Sequence, residues 1–160
     1  NVRDLAKAFY PVELKQHGLL AALKGVAQRS QIQFGVPCAV RANFHATKKL
    51  SEAKAVQLFR IAQEAVQNAI KHAHADQILI QLRKKKGVLH LTVWDDGVGL
   101  PDRALENGGM GLRIMQYRAQ IILGTLRVGH EKGGGTLVSC SVPIEDVGRN
   151  GFADPLDAGR

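Results

Sequence analysis

Aromatic side chains make up only 5% of this 160-residue chain, with a single tryptophan. Base-stacking platforms are correspondingly scarce. None interleaves with the densest basic run, "RKKK" at residues 83–86, which precedes Gly87 and suits a solvated hairpin tip. Cysteine is nearly absent as well. Cys38 and Cys140 have no metal-ligand spacing and sit in alternating apolar contexts, which excludes a thiolate zinc site and a disulfide framework and predicts buried free thiols in a reducing compartment. No apolar run approaches the ~20 residues needed to cross a bilayer, and no basic-then-apolar leader opens the chain. These absences lead us to expect a cytoplasmic piece. Because the chain opens on Asn within a helix-like pattern, we expect that piece to come from something longer.

Acidic residues are in the minority, 14 against 22 Lys and Arg, for a formal net charge of +8. Nucleic acid, acidic lipid and phosphorylated small molecules are the anionic partners to weigh, but most of the excess is scattered. Hydrophobic residues at 45% and charged residues at 22% are ordinary for a folded protein, and the length suits one domain with one core.

Periodicity supplies the elements. Helix-period apolar residues from Leu5 onward are interrupted by Pro11, predicting a break there and a second helix to about Ser30. Val36, Cys38, Val40, Ala42 and Phe44 alternate as a strand does. Ser51 is placed to cap a helix ending between His72 and Ala75. "QILIQLR" and "GVLHLTVWDD" form an antiparallel hairpin, and "MGLRIMQYRAQIIL" reads as a helix closed by Gly124. A last hairpin ends at Pro143, and the Gly-, Pro- and Asp-rich tail has the composition of a disordered segment. The order predicts an α+β fold, a two-layer sandwich with helices on one face of a mixed, mostly antiparallel sheet.

Four stretches carry chemistry. In "EAVQNAIKHA", residues 64–73, Glu64, Asn68 and Lys71 stand at i, i+4 and i+7 on one helix stripe with His72 beside them. Phe59, Ala62, Val66, Ala69 and Ala73 point the other way. Taken alone this is an ordinary amphipathic surface helix. "DDGVG", residues 95–99, ends a strand with a carboxylate able to accept a hydrogen bond from an exocyclic amine, followed by glycines that allow close approach; a plain Asp-Gly turn has the same form. "GGMGL", residues 108–112, offers backbone N–H groups at a helix N-terminus, a phosphate cradle that matches neither the dinucleotide fingerprint nor a P-loop. "GGGT", residues 133–136, opens the last strand with a hydroxyl, or is merely a flexible hairpin.

In that order the four resemble the N box, G1 box, G2 box and final strand of the GHKL ATP-binding superfamily, over roughly residues 51–143. "NAIKHA", "DDGVG" and "GMGLRIMQYRA" look most like the catalytic domain of sensor histidine kinases of the nitrate-sensor type. The resemblance implies the Bergerat form of the sandwich. It divides the chain into the end of a dimerisation helix with a linker helix at 1–30, the ATP-binding domain at 31–144 and a tail at 145–160. It also implies ATP and Mg²⁺ as cofactors, with Asn68 as the metal ligand, Glu64 activating the nucleophile or a metal-bound water, Lys71 meeting phosphate charge and His72 near the phosphates. Asp95 would accept the adenine amine, with Gly97 and Gly99 giving the base room and Thr136 supporting it, while Asp96 faces away. Gly109, Met110, Gly111 and Leu112 would cradle phosphate, and residues 100–107 would form a short lid.

Implied partners are a response regulator with a helix-turn-helix output domain and the phosphoacceptor helix of the full-length kinase. No direct nucleic acid is implied, and contact with a membrane would come only through an upstream sensor region. His17 precedes Gly18 without the acidic neighbour typical of a phosphoacceptor, and His130 lies beyond the nucleotide motifs. Autophosphorylation by this chain alone is therefore not expected. Three other readings are an anti-sigma-factor serine kinase, a GHKL ATPase of the gyrase, chaperone or mismatch-repair groups, and a basic nucleic-acid-binding module. The first two share motifs or fold; the last lacks a clustered charge or motif.

Overall fold

The computed structural model describes residues 12–43, 46–47, 49–103 and 108–144. Helices α1 (Val12–Phe34), α2 (Glu52–Lys71) and α3 (Met110–Ile121) pack on one face of a sheet made of β1 (Cys38–Ala42), β2 (Ile78–Lys85), β3 (Val88–Asp95), β4 (Thr125–His130) and β5 (Thr136–Pro143). The sheet order is β1-β2-β3-β5-β4, with β1 parallel to β2 and every other pairing antiparallel. This is the expected two-layer sandwich.

Alternation decides which strand residues enter the core. Ile80, Leu82, Leu89, Leu91, Cys140 and Val142 are almost wholly buried, while their sequence neighbours point to the opposite face. Opposite them, α2 inserts Leu58, Phe59, Ile61 and Ala62, each at most 1% exposed, and each large apolar side chain so buried contributes about 1.5–3 kcal/mol. Leu19, Leu23 and Val26 of α1 lie in the same core cluster, so α1 is packed into the sandwich. No described helix is long and apolar enough to cross a membrane.

The helix ends differ in detail from expectation. Pro11 lies outside the described residues, and the break in α1 falls at Gly18, where φ is 83° and ψ −177°. Beyond Ser30 the run "QIQF" contains no breaker, so α1 continues to Phe34. Ser51 does cap α2, its hydroxyl accepting from Lys54 N–H at 3.3 Å. Ser51→Ala should cost about 1 kcal/mol in urea denaturation. At the end of α3, Leu123 rather than Gly124 takes the left-handed conformation, φ 57°. Gly124 serves a different need. Its N–H donates to Ala119 O at 2.8 Å, and a Cβ there would lie 3.1 Å from Ser141 O, so glycine lets the chain pass from α3 into β4 close against β5.

Both thiols are free. Cys140 is buried and Cys38 half-buried, and burial pushes each up to about 11. The closing tail beyond residue 144, expected to be disordered, and Phe44 of the expected strand lie outside the described residues.

Candidate functional site

β3 and β5 bring two distant motifs together at one end of the sheet. Asp95, the last residue of β3, is the register partner of Thr136, the first of β5. Each is 5% exposed, on the helix-facing side. The Asp95 carboxylate accepts from Gly97 N–H at 2.8 Å and from the Thr136 backbone N–H. Burial nevertheless raises its pKa, against the lowering effect of those two bonds and with a smaller push from Asp96. The Thr136 hydroxyl is buried without a hydrogen-bond partner among the described residues. A buried hydroxyl so left costs about 1–3 kcal/mol unless another group reaches it.

Asp96 faces elsewhere, as expected. Its Oδ1 accepts from the Asp76 and Gln77 N–H groups at 2.9 and 3.0 Å, tying down the loop after α2. Burial works to raise its pKa, but these bonds outweigh it and hold the carboxyl below the ordinary range.

The same loop connects Asp95 to the chemical stripe of α2. Val98 N–H donates to Ala73 O at 2.8 Å, and a Cβ on Gly97 would lie 2.3 Å from that oxygen. Gly97 is therefore required by the backbone of Ala73, whatever room it also gives a ligand. Glu64 and Asn68 are half-exposed on the stripe, while Lys71 and His72 are exposed beyond them. His72 closes α2 through its backbone, donating to Asn68 O at 2.9 Å. The side chains of Asn68, Lys71 and His72 form no hydrogen bond or ion pair among the described residues.

α3 completes the arrangement. Gly109 is its N-cap with no side-chain cap, and the ladder begins with Arg113 N–H to Gly109 O at 3.1 Å. The N–H groups of Met110, Gly111 and Leu112 precede that bond and are available to an anion. Glu64 comes up against this helix start, since a Cβ on Gly111 would lie 2.4 Å from its Oε1. The Met110 side chain is 79% exposed, so its backbone rather than its thioether belongs to the cradle. Of the expected lid, 104–107 lie outside the described residues.

Three contributors escaped the sequence reading. Ala73 gives the backbone oxygen that anchors Val98. His130, at the end of β4, packs on Gly99, and its Nε2 lies 3.6 Å from Asp102 Oδ1 at the root of the expected lid. Gly135 has φ 94°, and a Cβ there would fall 1.9 Å from Asp95 O; the triple glycine was the available signal. Gly135→Ala should lower stability by about 2 kcal/mol or more, measured by urea denaturation, and disturb the Asp95 floor with it.

A strand-end carboxylate, an orphaned hydroxyl, a polar helix stripe and an uncapped helix start thus belong to one two-layer sandwich. The chain belongs to the histidine kinase-, DNA gyrase B- and HSP90-like ATPase family, whose model matches residues 53–146. Among similar proteins, the nitrate/nitrite sensor protein NarX of Escherichia coli K12 is 33% identical over 139 residues, covering 86% of this chain and 23% of NarX. The oxygen sensor histidine kinase NreB of Staphylococcus carnosus is 31% identical over 147 residues, 91% of this chain and 42% of NreB. The chain thus spans less than half the length of either relative. Among solved structures, the histidine kinase domain of the Erythrobacter litoralis blue-light activated histidine kinase superposes with a TM-score of 0.62 at 27% identity, over 79% of this chain and 64% of that one. ShkA, solved full-length in complex with AMPPNP, shares the fold at a TM-score of 0.60 and 22% identity, over 78% of this chain and 30% of that one.

Proposed function

We propose that this chain is the phosphoryl-donor domain of a two-component sensor histidine kinase. It binds Mg-ATP and presents the γ-phosphate to a histidine on a dimerisation helix elsewhere in the longer protein, for relay to a response regulator with a helix-turn-helix output domain. The observation that carries this reading is the buried pair of Asp95 and Thr136, a carboxylate held by two backbone N–H groups beside an unpartnered hydroxyl. The similarity to the oxygen sensor histidine kinase NreB supports the choice of a histidine as acceptor over the serine of an anti-sigma kinase.

When bound, Mg-ATP supplies the transferable phosphoryl group and the divalent charge that screens it. The residues present fit that ligand. Asp95 is an acceptor for an exocyclic amine, and the Thr136 hydroxyl is free to complete a network beside it. Asn68 offers a neutral oxygen to a hard cation that keeps several of its waters, a role for which a single protein ligand suffices. Glu64, one turn earlier on α2, would orient or activate the incoming nucleophile or a metal-bound water by accepting its proton. Lys71 and the N–H groups at the start of α3 would provide positive potential for phosphate, with His72, next to Lys71, either near them or simply ending α2. Such a site acts by positioning and electrostatics, with no covalent intermediate on its own side chains.

The test is calorimetric titration of this chain with a non-hydrolysable ATP analogue, with and without Mg²⁺. Saturable binding strengthened by Mg²⁺ is expected, and absence of binding in both conditions would overturn the reading. Autophosphorylation is expected only when the longer protein's phosphoacceptor helix is supplied.

A further inference from the structure

The sheet face turned away from the helices has no covering element among the described residues. Register determines what stands on it. Leu79, Trp94 and Leu137 are successive partners across β2, β3 and β5 and form one half-buried apolar row. Two residues further along the strands, a polar row runs from Arg41 on β1 to Arg127 on β4, about 19 Å apart at the usual strand spacing. Arg83 follows on β2. All three arginines are exposed, and none makes an ion pair or hydrogen bond among the described residues. No outward position of any of the five strands carries Asp or Glu.

We propose that this open face docks an acidic protein surface with an apolar edge, its apolar part seated on the Leu79–Trp94–Leu137 row and its carboxylates on the three guanidinium groups, which lie to one side of that row. Tryptophan and arginine are among the residue types that dominate protein–protein contact energies, whereas lysine is depleted at interfaces; the described strands carry one outward lysine, Lys85, at the far end of β2 from the apolar row. A second copy of the chain is a poor occupant, because two-fold pairing of this face would set arginines against arginines with no carboxylate to relieve them. Nucleic acid is disfavoured because one tryptophan among aliphatic side chains gives no succession of stacking rings. Five strands span roughly 24 Å, so the face is on the order of 500 Å², the scale of a weak, transient contact. It is separate from the nucleotide floor. Trp94 and Leu137 adjoin Asp95 and Thr136 in sequence, and strand alternation turns them to the opposite side.

Trp94 is the only tryptophan, so its emission reports directly on this face. The wild-type chain is titrated with a soluble synthetic peptide of alternating glutamate and leucine, with its lysine–leucine counterpart, and with a single-stranded DNA oligonucleotide. The acidic peptide should give a saturable change in Trp94 emission that weakens as salt is raised, and the basic peptide should give none. Joint replacement Arg41→Glu, Arg83→Glu and Arg127→Glu should weaken the acidic peptide about tenfold or more while leaving thermal unfolding and ATP-analogue binding unchanged. The three Arg→Gln replacements give the same reading with less added charge if the glutamate variant does not fold. No response to the acidic peptide, an equal response to both peptides, a response insensitive to the arginines, or tighter arginine-dependent binding of the oligonucleotide would each overturn the proposal. Loss of nucleotide binding by the wild-type chain would count against the kinase reading alone.

Discussion

Asp95→Asn should lower affinity for an ATP analogue on the order of a thousandfold, the combined scale of a lost hydrogen bond to a charged group and a buried donor left unsatisfied, without destabilising the fold at neutral pH. The geometry explains why one atom matters so much. The Gly97 and Thr136 N–H groups both need an acceptor and will hold the remaining carbonyl oxygen of the new amide. Its NH₂ is then left toward the pocket, where it meets an amine as donor against donor. Stability should move the other way, and the sign follows from burial. The folded-state pKa of Asp95 is raised above the ordinary 3.8. Its contribution to stability is therefore fully present below that value and is lost as pH rises through the folded-state value. At pH 7 the protein carries a buried carboxylate at a cost, and the variant does not. Asp96 has the opposite sign. Its lowered pKa adds stability above the ordinary carboxylate range that is lost as pH falls. Thermal unfolding across pH 3–8 should accordingly show Asp95→Asn no less stable than wild type at the neutral end. Calorimetry showing wild-type affinity in this variant would sink the assignment of the floor.

Asn68→Ala should remove the Mg²⁺-dependent part of nucleotide affinity, a loss of more than about a hundredfold, since even outer-sphere partners of a metal are worth 10–100-fold. The side chain has no described partner within the protein, and the backbone oxygen that closes α2 with His72 and Ala73 is untouched by the substitution. Alanine is also the better helix former. The fold should therefore be unaffected or slightly stabilised, and titrations with and without Mg²⁺ should converge. A variant that still responds to Mg²⁺ as the wild type does would remove Asn68 from the metal site and leave Glu64 as the residue to examine.

Much of this architecture could be read directly from residue patterns. Alternation in β2, β3 and β5 and the 3.6-residue stripe of α2 are local properties, and they survive because tertiary packing uses the same faces: Phe59, Ala62, Val66, Ala69 and Ala73 are each at most 3% exposed. Ser51 capped its helix as its side-chain chemistry demands. Helix ends were less legible. Leu123 takes the left-handed conformation while Gly124 passes close to Ser141 O of β5, a long-range contact that no local propensity encodes.

The elements, the binary pattern of the core and the residue types available for nucleotide chemistry are legible in the residue order, because they rest on side-chain period and on interactions spanning a few residues. Which of those residues meet is a property of the folded sheet. Asp95 and Thr136 are 41 positions apart and become neighbours through the β3–β5 register. Glu64 reaches Gly111 because α2 and α3 share one face of the sheet. Gly97 and Gly135 are demanded by the backbones of Ala73 and Asp95, contacts set by loop packing. The same register gathers three arginines from three strands onto one uncovered face. Pairing across a sheet is a long-range choice driven by burial of the whole apolar surface, and its consequences appear only once that surface is closed.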